Sequence, residues 1–374
     1  MKIAHIVSTF PPQIGGMGMV CADEAQALAR QGHEVTVFTL KYPHLLDLAE
    51  FDKKFSFKTV RLQPLIKFGD AGLVPQLVSR LKGFDLAHLH YPFYGGAEWL
   101  AFIKVPLIIS YHMDAQTSGF KKLAQKLYDA FWPKILFAKA KKIISVDAVR
   151  SMPLKFYEEV KNKTVEVFNG VDTEIFKPRF VNARELNLPE LGEKKIILFC
   201  GNTLPVKRLD LLLEAIKIIN DDNVALLVVG DGYHLEKYRQ MARDLGISRQ
   251  THFVGHCGDR RKIAKYYNIA DCLALPSDYE SFSLVTVEAM ASELPVVASD
   301  IDALKSKITN GQEGFLFARG SAPQLSDALK KILSMSAEDR KVMGERGRQK
   351  AEAQYSWQKH IEKLEEVYKE ILKY

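Results

Sequence analysis

Two successive α/β domains, each built on a mostly parallel sheet, are what this sequence predicts, on three observations. Apolar strand-like runs alternate with amphipathic helical stretches along most of the chain, which places parallel strands beneath helices on both faces. The alternation pauses at 169–178, where NGVDTEIFKP joins an Asn-Gly turn signal to a proline that no helix can run through. A length of 374 residues is enough for two separate cores.

Composition narrows the class. Hydrophobic residues make up 47% and charged residues 26% of the chain, ordinary proportions for a globular protein. No run approaches the roughly 20 apolar residues that span a bilayer. Pro11 and Pro12 cut the opening run MKIAHIVSTF short, so no signal peptide is read there and the expected location is cytoplasmic. Cys21, Cys200, Cys257 and Cys272 show no Cys-x-x-Cys spacing, which argues against a zinc site or a disulfide framework. The net charge of +7 is carried by residues 1–180, residues 181–374 being balanced. The first half therefore faces something acidic, or simply gains solubility. Nucleic acid is not the expected partner, because no aromatic platform or reader motif accompanies the basic residues.

In the first domain, 2–7 reads as a strand and 8–18 as a loop holding Gly15, Gly16 and Gly18. A helix over 19–31, stopped by Gly32, and a strand over 35–40 follow. Such glycines let the backbone approach a ligand, or only make the turn. Further strands are read at 57–62, 85–89, 105–110, 142–146 and 164–167. Ligands of such sheets gather at the carboxyl ends of strands, and two of those ends carry histidines: His88 with His90, and His112. The His-x-His pair has no compelling third ligand, so no metal is expected there. His112 meets a ligand or a backbone group.

Residues 119–142 interleave Lys121, Lys122 and Lys126 with Phe120, Tyr128, Phe131 and Trp132. A basic amphipathic helix with aromatics suits an anionic membrane interface. The plainer reading packs its apolar face on the sheet, with Pro133 dividing it into two shorter helices.

The second domain opens with a strand at 195–200 and the loop GNTLPVKR, which delivers Lys207 and Arg208 to a helix start. Two cations beside free N–H groups suit a diphosphate, unless they merely face solvent. A strand at 225–229 and the triplet GDG at 230–232 follow. The organising stretch is 274–300, in which a strand ends at Pro276 and a polar turn leads into a helix capped by Ser281 or Ser283. Backbone N–H groups around Ser281, Phe282, Ser283 and Leu284 then stand ready for an anion or a polar sugar. Glu280 and Glu288 lie roughly 10 Å apart at the helical rise, too far to share a proton, and each can accept two hydroxyls of a diol. The alternatives are that Glu280 helps cap the helix and Glu288 is solvated. Asp300-x-Asp302 offers a rival, a metal-dependent transferase. Apolar residues at helical spacing predict a terminal amphipathic helix over 355–374.

Taken together, Glu280, Ser281, Phe282, Ser283, Leu284 and Val285, then EAMA at 288–291 and PVVA at 295–298, resemble the signature of retaining glycosyltransferase family four, the glycosyl transferases group 1. The segment NGVDTEIFKP is similar to that family's interdomain linker. The resemblance implies a GT-B fold, two Rossmann-like domains facing each other across a cleft. Residues 1–178 would bind the acceptor, 179–354 the nucleotide sugar, and the helix 355–374 would cross back onto the first domain. It also implies retaining transfer of a hexose from a UDP- or GDP-linked sugar, with no metal or other cofactor. With the acceptor placed in the first domain, the basic stretch 119–142 and the positive excess of that half point to a lipid-linked or otherwise anionic acceptor, such as one in cell-envelope polysaccharide or glycolipid synthesis, with peripheral contact to the inner membrane face through 119–142. By position in the motifs, His112, Lys207 and Glu280 are the expected catalytic residues. Gly15, Gly16, Asn202, Lys207, Arg208, Ser281, Phe282, Ser283, Leu284 and Glu288 are the expected donor contacts.

The sequence departs from that pattern at Asn202, where arginine is usual, and at Arg208 and Ser283, where glycine is usual. Asp300 to Ala303 stand where a glycine pair often lies. These changes motivate an alternative, a nucleotide-sugar-binding protein without turnover.

Overall fold

Strands whose residues are apolar on both faces, such as VALLVV with all six residues buried, can persist only between two layers of helices. The computed structural model describes residues 1–13, 16–42, 47–112, 121–145 and 154–372. It contains two such layered units, Met1–Asn169 with His360–Tyr374, and Gly170–Lys359.

The first unit comprises β1 (Lys2–Ile6), β2 (Glu34–Leu40), β3 (Lys58–Leu62), a small hairpin of β4 (Lys67–Phe68) and β5 (Ala71–Gly72), β6 (Leu86–Tyr91), β7 (Leu107–Tyr111), β8 (Lys142–Ser145) and β9 (Thr164–Glu166). Its parallel sheet has the order β3-β2-β1-β6-β7-β8-β9. The direction of winding reverses between β1 and β6, the place where open α/β sheets leave a crevice. Leu40, Leu89, Ile109 and Leu136 belong to its core. The helix over 121–139 is continuous, which corrects the expectation of two shorter helices. Pro133 removes one N–H from the ladder, but Leu136 and Phe137 just beyond it are buried and hold the last turns against the sheet.

The second unit holds β10 (Lys195–Cys200), β11 (Val224–Val229), β12 (Thr251–Gly255), β13 (Cys272–Leu275), β14 (Val296–Ser299) and β15 (Gly314–Phe317). These pair in the order β12-β11-β10-β13-β14-β15, the Rossmann arrangement, with its reversal between β10 and β13. The chain passes from the first unit to the second between Asn169 and Gly170, earlier than the boundary at 178 read from the proline.

Gly170 has a packing reason to be glycine beyond its turn signal. A Cβ there would lie 2.6 Å from the Trp357 ring. Val171 beside it donates to Tyr355 O at 2.7 Å and accepts from Trp357 N at 3.1 Å. The linker thus docks onto Ser356, where the helix Ala337–Tyr355 gives way to the helix Trp357–Leu372.

Candidate active site

At the β10/β13 reversal two loops meet. The first runs from β10 through a single 3-10 turn, Pro205–Lys207, into the helix Leu209–Ile219. The second runs from β13 into the helix Leu284–Ala291. Asp278 N donates to Val206 O at 2.8 Å and ties them together.

Across this junction Lys207 Nζ donates to both carboxylate oxygens of Glu280, at 2.8 and 2.7 Å, and Ser277 Oγ donates to Oε1 at 2.7 Å. The Glu280 side chain is 6% exposed and that of Lys207 23%. A nearly buried carboxylate held by a cation and a hydroxyl is well satisfied, and its partner ammonium keeps a solvent-facing side. The sequence places both residues in the site, and the structure brings them together directly.

Glu288 lies one loop further in. The buried Tyr267 hydroxyl donates to its Oε2 at 3.0 Å, fixing the carboxylate. Burial pushes the Tyr267 phenol well up, with Cys200 and Glu288 adding to the shift, so it remains a donor. Sequence reading missed Tyr267, because an aromatic on a helix face ordinarily signals core.

Arg208 is less open than the sequence suggested. Its Nε faces Asp210 at 3.1 Å and its guanidinium reaches Asp278 at 3.3 Å, while Arg319 approaches the same Asp278 at 2.9 Å. A diphosphate there would compete with two carboxylates. Asn202 is exposed.

Arg208 and Ser283, the two positions where the resemblance leads one to expect glycine, are both left-handed, at φ 53° and 67°. A glycine would take that conformation without strain, and this sequence adopts it with a side chain in place. Ser283 occupies the cap position, yet its Oγ accepts from Thr286 Oγ1 at 2.8 Å and caps no N–H group. Leu284 opens the helix behind it, and Ser281 is half-buried in the turn. Phe282 is 2% exposed, with its ring against Tyr355 and under the Lys307 ammonium, so only its backbone is left to face a ligand. Asp300 is paired with Lys305 at 3.1 Å.

In the first unit, the helix Gly16–Arg30 starts with an exposed glycine, and Gly15 lies outside the described residues. A Cβ on Gly18 would meet Thr9 O at 2.5 Å, so that glycine permits the helix to touch the loop after β1. His112 follows β7, donates its N–H to Tyr91 O at 3.1 Å, and places Nε2 3.0 Å from His90 Nδ1. His90 Nε2 is in turn 3.0 Å from His5 Nδ1.

Glu24, on the helix, is buried beside them, with Oε1 3.0 Å from His360 Nε2. Its Oε2 stands 3.6 Å from His90 Nε2 and 3.8 Å from His5 Nδ1. Burial drives the imidazoles of His5 and His112 down to about 4 and that of His88 to about 3, against the opposing pull of Glu24. All are neutral at pH 7. Burial also pushes the Glu24 carboxyl up, but the imidazoles around it, His90 and His360 first, outweigh this and hold it well below the usual range.

His5, Glu24, His88 and His90 have ligand atoms within 4.8 Å of one another, so the His-x-His pair does have a third and fourth neighbour. Hydrogen bonds nevertheless engage most of the ring nitrogens: His88 Nδ1 is 2.6 Å from Tyr368 Oη and its Nε2 2.7 Å from Ser110 Oγ, while His5 Nδ1 faces His90 Nε2, and His5 Nε2 has no partner among the described residues. The cluster is best described as a hydrogen-bond network.

Beside the β4–β5 hairpin lies a pocket of about 480 Å³ lined by Phe68, Tyr94, Trp99, Phe102, Tyr128 and Trp132, among others. Phe68, Phe102 and Phe131 around it are more than half exposed.

A model described as Glycosyltransferase Family 4 matches residues 14–175, and one described as Glycosyl transferases group 1 matches residues 184–350. An N-acetyl-alpha-D-glucosaminyl L-malate synthase of Bacillus anthracis is 24% identical, the match covering 100% of this chain and 98% of the relative. A D-inositol 3-phosphate glycosyltransferase of Corynebacterium aurimucosum is 27% identical over 96% of this chain and 91% of its own. The crystal structure of Anabaena Alr3699/HepE in complex with UDP and glucose superposes with a TM-score of 0.81 at 16% identity, covering 98% of this chain and 99% of that one. The shared fold is GT-B, two Rossmann-like α/β domains.

Proposed function

Because this chain belongs to the glycosyltransferases of family four and group 1, we propose that it is a retaining enzyme that moves a hexose from a UDP- or GDP-linked donor to an anionic acceptor. The observation that carries this reading is the Lys207–Glu280 pair at the β10/β13 reversal. Lys207 and the N–H groups that open the helix at Leu284 stabilise the departing diphosphate, the largest electrostatic demand of such a transfer. Arg208 adds to them where its two carboxylates yield. With that charge met by the protein, the reaction needs no divalent cation, and activity persists in a chelator.

Glu280 accepts hydroxyls of the donor sugar while Lys207 orients it, and Glu288, steadied by Tyr267, accepts the ribose hydroxyls. His112 is assigned to the donor sugar, and Gly15 and Gly16 to the donor phosphates or the acceptor, on the family motif. No carboxylate is assigned as a nucleophile. The acceptor attacks on the face from which the diphosphate leaves.

An anionic acceptor fits the basic excess of residues 1–180. It also fits the relatives, whose names specify malate and an inositol phosphate. The aromatic pocket and the exposed phenylalanines around it favour an acceptor with a lipid portion, taken up at the inner face of a membrane. Among the described residues no helix is long and apolar enough to cross one.

Thermal-shift screening against nucleotides and nucleotide sugars identifies the donor, since a ligand of the folded state raises its stability. Lys207→Ala then weakens nucleoside diphosphate binding far more than nucleoside binding. Equal losses for both would mean that the lysine acts through folding and would remove it from the site. Tight nucleotide binding with neither transfer nor donor hydrolysis would instead mark a binding protein.

A further inference from the structure

The buried network of the first unit allows its protons to be located by counting donors and acceptors. His360 Nδ1 is 2.6 Å from Phe168 O, a carbonyl that can only accept. Its Nε2 faces the Glu24 carboxylate at 3.0 Å, so both ring nitrogens of His360 are engaged by oxygen.

Between His5 Nδ1 and His90 Nε2, 3.0 Å apart, there is one proton. If His90 holds it, neutral His5 must carry its own proton on Nε2, which is buried with no hydrogen-bond partner among the described residues. An orphaned buried N–H is rarer and more costly than an acceptor left bare. If His5 Nδ1 holds it instead, His5 donates to His90 Nε2, and His90 must be protonated on Nδ1. His90 then donates to His112 Nε2 at 3.0 Å, which leaves the His112 proton on Nδ1. The distances from Glu24 Oε2, 3.8 and 3.6 Å, favour neither case. The unpartnered Nε2 of His5 decides.

We infer that His5 and His90 are positioning residues that lock His112 as its Nδ1–H tautomer, so that His112 presents a hydrogen-bond donor to an oxygen of its ligand and not a base. The Glu24–His360 pair anchors the inner end of this line. The consequence for transfer rests on the proposed contact of His112 with the donor sugar: it donates to a sugar oxygen and takes no proton from the acceptor. The tautomer itself does not depend on that contact.

Long-range proton–nitrogen NMR on the full chain with 15N-labelled histidine reads the tautomer at pH 7.5, with His112 assigned by the signal lost in His112→Asn. The expected spectrum has a pyrrole-like Nδ1 and a pyridine-like Nε2 for His112, and the reverse pattern would overturn the inference. His90→Gln, whose amide can still donate, keeps that pattern, whereas His90→Leu moves it toward protonated Nε2. An unmoved pattern in His90→Leu would show that the chain does not set the tautomer. Should His90→Leu fail to fold, the spectrum of the native chain still decides. In transfer assays kcat of His90→Leu falls about tenfold, the factor for one hydrogen bond, with donor KM unchanged and with rescue by Gln. The expected tautomer together with unchanged kcat would uphold the lock and refute the sugar contact.

Discussion

At Ser283 the backbone turns through φ 67°, ψ 77°, a region that costs an L-residue roughly 1–2 kcal/mol and glycine almost nothing. Ser283→Gly therefore raises thermal stability, less the contribution of the Thr286 hydrogen bond, while Ser283→Val lowers it. Opposite signs in a melting comparison would mean that the turn is held by the serine hydroxyl. Glu288 invites a second experiment at this scale. Glu288→Gln keeps the shape and the Tyr267 hydrogen bond but loses charge-assisted bonds to a diol worth about 1.5–3 kcal/mol, so calorimetry should find donor affinity lowered about tenfold or more. Unchanged affinity would exclude Glu288 from the site. Both glutamates, Lys207 and His112 could be picked from the sequence as candidates, because strand ends and helix starts are punctuated by Pro276, by Ser-rich turns and by Lys-Arg. Tyr267 and Asp278 were not. What ties them to it is an oxygen 3.0 Å away on another helix and a backbone bond to Val206, neither of which leaves a local pattern.

At the scale of elements, alternating apolar runs gave away the strands and their parallel pairing. Where the signal failed, tertiary packing had overruled local chemistry. Pro133 reads as a break yet lies inside one helix, since Leu136 and Phe137 fasten the following turn. β12 is short and largely half-buried, so it presents no long apolar run. Gly170 reads as a turn glycine, while its contact with Trp357 becomes visible only in the fold. The helix Lys121–Lys139 also carries the membrane prediction. With Phe131 exposed and the aromatic pocket adjoining, the chain should float with anionic vesicles at low salt and release as salt rises. Changing Lys121, Lys122 and Lys126 to Glu should abolish flotation. Binding that is absent at low salt, or unaffected by the triple change, would leave the aromatic surface without a lipid role.

For the molecule as a whole, the buried imidazoles set a pH dependence whose sign follows from linkage. His5, His88 and His112 have native values of about 4, 3 and 4, below the roughly 6.5 of an unfolded histidine. The unfolded chain therefore binds more protons between those values, and stability rises with pH through the window. The contribution is complete above about pH 6.5 and is lost as the pH falls toward 4. At pH 5 each such group costs up to about 2 kcal/mol. Thermal unfolding followed from pH 7.5 to 5 should show an early, steep loss, and a flat profile would mean that the cluster already takes up protons in the native state.

The network responsible was hidden from sequence reading because Glu24 and His360 are 336 residues apart. That separation has a consequence for biosynthesis. The helix bearing Glu24 leaves the ribosome long before the His360 imidazole that meets its carboxylate and the Tyr368 hydroxyl that engages His88. Until they arrive, the N-terminal unit carries a carboxylate it cannot bury, so its final closure must wait while the whole of Gly170–Lys359 is translated. In this protein the second unit, though made later, is the one free to finish folding first.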